Sequence, residues 1–316
     1  MKPSTKFILF CSLLVTLTCV VMAWLAYSSI SNTLVAKVLD RFRERSTNRM
    51  LSIDNMLHYN LVNTQVIAGD PLFCTPAPPA QKVAARLISY RNLFKIYLSI
   101  SYFSNDGVLL ADTSGLGIGQ PVDPQSPPGK HWPQVLDGTF THGAGHSRLL
   151  NADLIYVTRP VICPDEPKLR GAIVARINIW RLHALFPIAA SGSESVAVHI
   201  DLFDDEGLLL YSNHHRTGIM KVFSDSQMTP EGKNIEVLAN EDQIVSVARS
   251  MGTMDFKGSN WLLRFSVARE AAREEARILG LRIAITSLFI IAAATVLAYF
   301  FARRFVRPMM HHDPPK

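Results

Sequence analysis

The sequence predicts an α+β protein (α/β in the broad sense). A long N-terminal helix precedes two tandem modules with antiparallel sheets, and two transmembrane helices flank both modules. Three observations carry this prediction: two long uncharged segments near the ends of the chain, an unbroken helical pattern behind the first of them, and a strand–turn–strand unit that occurs twice. Together they place residues 31–282 in one compartment, between two membrane anchors.

Two segments are long and apolar enough to cross a bilayer. Residues 7–30 and 283–302 contain no charged side chain, and a spanning helix needs about 20 apolar residues. The first segment exceeds the length of a signal-peptide core and is not followed by a typical cleavage site, so an uncleaved anchor is favoured over a removed signal peptide. Basic residues near the two termini predict that residues 1–6 and 303–316 lie in the cytoplasm.

Two helical patterns connect these spans to the part between them. Apolar residues recur at three- and four-residue steps after the first span, no proline or glycine interrupts the pattern up to Ala68, and Gly69-Asp70-Pro71 ends it. We therefore expect a long helix over residues 31–68. Residues 268–282, rich in Ala, Glu and Arg, predict a stalk helix that continues into the second span.

A strand–turn–strand unit occurs twice, one hundred residues apart. Residues 96–112 contain an apolar strand, an Asp-Gly turn and a return strand, and residues 196–212 repeat this order. Each unit is followed by two further predicted strands, 154–162 with 171–179 and 244–249 with 260–267. This repeat predicts a membrane-distal module over 81–190 and a membrane-proximal module over 195–267. The matching pairs are Ile100/Ile200, Phe103/Phe203, Gly107/Gly207, Leu109/Leu209 and Leu110/Leu210.

Cysteine usage and charge limit the chemistry further. Cys74 and Cys163 lie in the exported part beside prolines, which indicates two loops. An oxidising compartment permits a disulfide between them, and two free thiols are the alternative. The net charge is +6, but the basic residues lie largely beside the spans, where they suit lipid headgroups. No nucleic-acid-binding motif is present, so no nucleic-acid partner is predicted.

Several features in a fixed order carry a family resemblance. They are the anchor and long helix, Asp106-Gly107, Trp132-Pro-Gln-Val-Leu-Asp-Gly, Thr158-Arg-Pro-Val and Gly171-Ala-Ile-Val-Ala-Arg-Ile. In this order they resemble the double Cache (dCache) family of bacterial extracytoplasmic sensors, which contain tandem PAS-like modules. Ala302-Arg-Arg-Phe-Val-Arg-Pro is similar to the entry of a HAMP linker, but the residues after it depart from that pattern.

The resemblance implies a homodimeric, multi-pass receptor of the bacterial inner membrane with a periplasmic sensor, of the chemoreceptor, histidine kinase or diguanylate cyclase type. A small ligand would bind in the membrane-distal module. Arginine would bind a carboxylate, aspartate would accept from an ammonium group, and aromatic rings would exclude water. The alternative is that the aromatic residues are core and that the Arg and Asp form a surface pair. The matching positions are Tyr102, Asp112, Trp132, Arg148, Asp153 and Tyr156.

Other polar clusters predict no further chemistry. His142-Gly-Ala-Gly-His146, with His131 nearby, has a spacing that suits metal ligands, but the glycines indicate a flexible loop. No metal and no cofactor are therefore predicted. No arrangement of nucleophile and base indicates an enzyme. The predicted function is the ligand-sensing module of a transmembrane receptor, and the alternative is a membrane-anchored protein that binds another protein and no small molecule.

Overall fold

The computed structural model describes residues 3–164, 168–186, 198–223, 235–239 and 243–301. The predicted boundary between the two modules, residues 190–195, and the HAMP-like segment 303–316 lie outside these residues. Within the described part, the chain forms a long first helix, two five-stranded sheets and a long last helix.

The first helix, α1, runs without interruption from Pro3 to Ala68. Asp70 begins the next helix, because its carboxylate accepts a hydrogen bond from the Leu72 N–H at 2.9 Å. That short helix, α2, covers Pro71–Cys74, although proline content predicted a loop there. A third helix, α3, covers Ala80–Phe94.

The first sheet belongs to the distal module and has the strand order β2-β1-β5-β4-β3. All its neighbouring strands pair antiparallel. Between β2 and β3 lie two short helices, α4 (Pro127–Lys130) and α5 (Trp132–Leu136), and α6 (Trp180–His183) follows the last strand. The strands are β1 Tyr97–Phe103, β2 Leu109–Asp112, β3 Thr141–Ser147, β4 Ala152–Ile162 and β5 Leu169–Asn178.

The second sheet belongs to the proximal module and repeats the first, with the order β7-β6-β10-β9-β8. The repeat extends into the segment after each hairpin: the Val122 N–H donates to the Gly107 carbonyl, and the Phe223 N–H donates to the Gly207 carbonyl. The strands are β6 Val198–Phe203, β7 Leu209–Ser212, β8 Ile235–Ala239, β9 Gln243–Arg249 and β10 Leu262–Ala268.

Helix α1 packs against both sheets, and the buried residues of all three form one continuous core. Polar contacts also fix the helix to the proximal sheet. Ser46 and Ser246 share a hydrogen bond at 3.0 Å, and the Asp54 carboxylate accepts from the Gly252 N–H at 2.9 Å and from Ser250. Burial raises the pKa of the Asp54 carboxyl, and these hydrogen bonds oppose the rise.

The last helix, α7, runs from Arg269 to Phe301 and begins at the residue after β10 ends. No loop therefore separates the proximal sheet from the last helix. Within the residues that the structure describes, no helical stretch has the length and apolar character that crossing a membrane requires. The spans at 7–30 and 283–302 stay predictions.

A disulfide joins Cys74, at the end of α2, to Cys163, just after β4, with a Cα–Cα distance of 5.6 Å. It attaches the short helix to the distal sheet. Two strands were missing from the prediction, β3 and β8, and both are edge strands. The segment around His142, predicted as a flexible loop, is strand β3.

Candidate functional site

A cavity of about 360 Å³ lies on the face of the distal sheet that points away from α1. Side chains of β1, β2, β4 and β5 form its floor, and residues 115–131, which follow β2 and include α4, cover it. The turn between β3 and β4 closes one side. The lining residues are Phe103, Leu109, Gly117, Gln120, Pro121, Val122, Asp123, Ser126, Pro128, His146, Ser147, Arg148, Leu149, Tyr156 and Arg176.

A buried ion pair lies at the floor of this cavity. The Arg176 Nη1 donates to the Asp112 carboxylate at 3.2 Å, to the Ser99 hydroxyl at 3.1 Å and to the Ser101 hydroxyl. Asp112 also accepts from the Ser101 hydroxyl and, at 2.6 Å, from the Ser114 N–H. Burial lowers the pKa of Arg176, and the Asp112 charge opposes this. The guanidinium is thus neutralised within the protein.

Tyr156 joins the floor to the covering segment. Its ring is buried, and the Arg176 guanidinium carbon lies 5.8 Å from the ring centroid. Burial raises the pKa of the Tyr156 hydroxyl, whereas the Arg176 charge and a hydrogen bond with Ser147 lower it. The hydroxyl therefore stays protonated at neutral pH and can donate a hydrogen bond to a ligand.

The rim of the cavity carries charges of both signs. Arg148 lies in the turn after β3 and is exposed, and among the described residues no carboxylate forms an ion pair with it. Asp123 also lines the cavity, from the covering segment, where its carboxylate accepts from the Gln125 N–H at 2.9 Å. A ligand with separated negative and positive groups would find a partner for each.

Two glycines of β3 allow the cavity to close. A Cβ atom on Gly143 would come within 2.7 Å of the Pro127 Cβ, and one on Gly145 would come within 2.9 Å of the Pro127 Cδ. These glycines therefore let α4 lie directly on the strand. The prediction of a flexible loop was wrong because glycine serves here in close packing and not in backbone freedom.

The structure brings only part of the predicted site together. Arg148 and Tyr156 line the cavity, and Asp112 lies beneath it as the partner of Arg176. Trp132 supports the cavity wall, with its ring centroid 5.7 Å from that of Phe103.

The other two predicted residues do not line the cavity. Tyr102 packs against Phe73 with a centroid distance of 5.1 Å, and its hydroxyl donates to the Arg170 carbonyl at 3.2 Å. Asp153 pairs across the strands with His146, whose Nδ1 lies 2.7 Å from the carboxylate. Asp153 is therefore not the partner of Arg148.

Sequence reasoning missed Arg176, Asp123 and Ser147. Arg176 had a usable signal, since it stands alone as a charged residue in the apolar run 171–177, where a buried charge requires a partner. Asp123 and Ser147 had none, because single polar residues in loops are common. Within the described ranges, no group of three or more His, Cys, Asp or Glu side chains is placed to hold a metal ion.

Comparison with known proteins supports the fold. No protein-family model and no curated protein matches the sequence. Among solved structures, the ligand-binding domain of Pseudomonas fluorescens chemoreceptor CtaA in complex with L-isoleucine matches with a TM-score of 0.55 and 14% identity, over 78% of this chain and 98% of that one.

Two further structures give the same result. The ligand-binding domain of Pseudomonas aeruginosa amino acid chemoreceptor PctB in complex with L-Arg has a TM-score of 0.55, 15% identity, and coverage of 75% and 97%. That of Campylobacter jejuni chemoreceptor Tlp3 in complex with L-valine has a TM-score of 0.54, 13% identity, and coverage of 77% and 97%. At this identity the likeness establishes the fold, which is that of chemoreceptor ligand-binding domains.

Proposed function

We propose that the chain is the ligand-sensing module of a bacterial transmembrane receptor, and that the distal cavity binds a small molecule with a carboxylate group. The observation that carries the proposal is the cavity itself. Its volume of about 360 Å³ lies within the range of small-molecule sites, and it combines apolar walls with a few polar groups.

The two arginines of the cavity have different roles in this proposal. Arg176 is already neutralised by Asp112 and by serine hydroxyls, so it fixes the floor and holds Tyr156 in place. Arg148 has no ion-pair partner among the residues the structure describes. It is therefore the group that binds the ligand carboxylate, by charge-assisted hydrogen bonds.

The opposite rim favours a ligand that also carries a positive group. Asp123 faces the same cavity as Arg148, and its carboxylate would accept from an ammonium group. Phe103, Leu109 and Leu149 supply apolar wall between these charges. An amino acid has this arrangement of groups, and the chemoreceptor domains of the same fold are described in complex with L-isoleucine, L-Arg and L-valine. Amino acids are therefore the first ligands to test.

The proposed receptor lies in the bacterial inner membrane, with residues 31–282 in the periplasm between spans 7–30 and 283–302. A homodimer would form through α1. In support, α1 exposes an apolar row at helical spacing: Leu51 is 46% exposed, Tyr59 66%, Val62 41% and Val66 52%.

The contacts between the elements provide a path by which ligand binding in the cavity could be transmitted to the membrane. Helix α1 contacts both sheets, and β10 continues directly into α7. Closure of the distal module on a ligand would change the packing of α1, and the proximal sheet would transmit a small displacement to α7. Packed elements of this kind switch between discrete arrangements.

The test is calorimetric titration of the full chain with the common L-amino acids, together with thermal unfolding. We expect one class to bind and to raise the unfolding temperature. Arg148→Gln should weaken that binding by at least tenfold, as the loss of a charge-assisted contact predicts. Lys221→Gln, the same change in charge on the exposed surface of the proximal module, should leave it unaltered.

A flat response to amino acids and other small carboxylates would contradict the proposal. It would favour the alternative of a membrane-anchored protein whose modules bind another protein. Binding that survives Arg148→Gln unchanged would contradict the assigned site, even if the sensing function holds.

A further inference from the structure

A second, larger cavity of about 680 Å³ lies at the junction of the two modules. Helix α1 contributes Leu61 and Gln65, and the distal module contributes Phe140, His142 and Arg159. The proximal module closes it with the β6–β7 turn and the loop between β9 and β10, including Phe256. None of these residues lines the distal cavity, so this is a separate space.

Arg159, on β4, is a cation of this cavity that forms no ion pair with the described residues. Its side chain is half-buried, and its guanidinium carbon lies 6.0 Å from the centroid of the Phe140 ring. Among the described residues no carboxylate forms an ion pair with it. Burial alone lowers the pKa of Arg159, without an opposing contribution from a nearby negative charge. A half-buried guanidinium without a counter-ion favours the binding of an anion.

His142, on β3, contributes its ring to the wall of this cavity. Its Nδ1 is buried and forms no hydrogen bond within the described part of the chain. The ring is held by edge contacts, with centroids 5.6 Å from Phe256 and 6.3 Å from Trp261. Burial lowers the pKa of His142, whereas the Asp205 charge and a backbone hydrogen bond with Gly258 oppose this. The ring is therefore part of the aromatic wall of the cavity.

The remaining charges limit what the cavity can accept. Lys257 adds a second positive charge, whereas Asp205 and Asp255 lie on the wall formed by the proximal module. Two carboxylates on one wall disfavour a ligand with several negative charges. The apolar walls, Leu61, Phe140 and Phe256, favour a ligand with an apolar body.

We propose that the junction cavity is a second ligand site, which takes a small monocarboxylate with an apolar body. Arg159 binds the carboxylate by charge-assisted hydrogen bonds. The ligand body packs against Phe140, Leu61 and Phe256. Because the walls come from both modules and from α1, an occupied site fixes one module against the other. This site is independent of the proposed amino-acid site.

The experiment uses the full chain and two probes of the same shape, benzoate and the neutral benzamide, in calorimetric titrations. We expect benzoate to bind with a dissociation constant at or below about 1 mM, and benzamide to bind at least tenfold more weakly. Arg159→Gln should weaken benzoate binding by at least tenfold. Lys221→Gln, the same change in charge on the exposed surface of the proximal module, should leave benzoate binding unchanged, and Arg148→Gln is measured beside it to show whether benzoate enters the distal cavity instead.

A second variant guards against a failure of Arg159→Gln to fold. Arg159→Lys keeps a positive charge at this position but loses the two-point hydrogen bonding of the guanidinium. It should weaken benzoate binding less than Arg159→Gln does and leave the unfolding temperature near that of the wild type. The proposal is overturned if benzoate does not bind at millimolar concentration, if benzamide binds equally well, or if binding follows Arg148 and not Arg159.

Discussion

The distal and proximal modules have the same strand order but different polar interiors. Across the first hairpin of the distal module, Ser101 lies opposite Asp112; across that of the proximal module, Asp201 lies opposite Ser212. The same two positions therefore carry the same residue pair with the members exchanged. Around Asp112 the chain places a buried arginine, Arg176, and above that arginine lies a cavity.

The proximal module surrounds its aspartate with histidines instead. The ring centroids of His199 and His214 are 4.2 Å apart, those of His214 and His215 are 4.1 Å apart, and the His214 Nδ1 lies 3.6 Å from the Asp201 carboxylate. Burial lowers the pKa of His214, and the Asp201 charge opposes this. The duplicated scaffold thus holds a permanent charge pair in one copy and titratable groups in the other. A shared fold positions a site but does not specify its chemistry.

Removal of the disulfide should produce the largest difference in stability between the two modules. Replacing both Cys74 and Cys163 by serine releases a constraint over a sequence separation of 89 residues, which should cost about 2–5 kcal/mol of stability. Hydrogen exchange should accelerate in β1–β5 far more than in β6–β10. A double Cys11→Ser, Cys19→Ser variant controls for the loss of cysteine, and equal acceleration in both sheets would contradict the expectation.

The buried ion pair gives the next largest effect. Asp112→Asn leaves the Arg176 charge without compensation and should lower the free energy of unfolding by about 3 kcal/mol. Ser212→Ala at the equivalent proximal position removes only a neutral hydroxyl and should cost about 1 kcal/mol. Denaturant unfolding of the two variants measures both. An equal loss of unfolding free energy in the two variants would show that Asp112 and Ser212 contribute equally to stability, and would contradict this account.

Much of the fold could be predicted because the strands of the hairpins are apolar runs joined by polar turns that end in glycine, Asp106-Gly107 and Glu206-Gly207. Gly107 and Gly207 have φ values of 75° and 81°, a conformation that favours glycine in a turn, so the repeated turns were visible in the sequence. Strand β3 was not predicted, because its glycines contact Pro127 from a distant part of the chain. A sequence pattern does not contain contacts of that kind.

The site was less predictable than the fold, for the same reason. Tyr102 and Tyr156 are both tyrosines within apolar strands, so the sequence does not distinguish them. Successive side chains of a strand point to opposite faces of the sheet, and α1 covers one face. Only Tyr156 therefore lies in the cavity. Asp153 is predicted to contact the ligand or, alternatively, to form a surface pair with Arg148, whereas strand register pairs it with His146. Arg176 could have been recognised as a buried charge, but its partner Asp112 is 64 residues away.

Substitution of a β3 glycine should lower the stability of the distal module moderately and leave the proximal module unaffected. Gly143→Ala places a methyl group against Pro127 and should displace α4, at a cost of about 1–3 kcal/mol. Because α4 covers the distal cavity, ligand binding there should also weaken. Thr141→Ala, on the same strand, is the control and should leave thermal unfolding and ligand titration near the wild type. Unchanged binding in Gly143→Ala would show that α4 does not close the cavity.

The smallest expected effect concerns pH and the proximal module. Burial raises the pKa of the Asp204 carboxyl to about 6, against the hydrogen bonds from the Leu208 and Glu206 N–H groups. The folded protein therefore binds a proton that the unfolded chain has released, so Asp204 makes stability fall as pH rises from about 4 to about 6. Asp204→Asn should remove this slope. Thermal unfolding of both proteins over this pH range measures it, and parallel curves would contradict the shift.

The central claim, that the distal cavity is the ligand site, is tested most directly by hydrogen exchange of the full chain, with and without a saturating amount of the amino acid that binds most tightly. The account predicts slower exchange in the covering segment 115–131 and in the turn 147–151, with smaller changes along α1. Protection confined to strands β6–β10, or the absence of any protection in the covering segment, would contradict it.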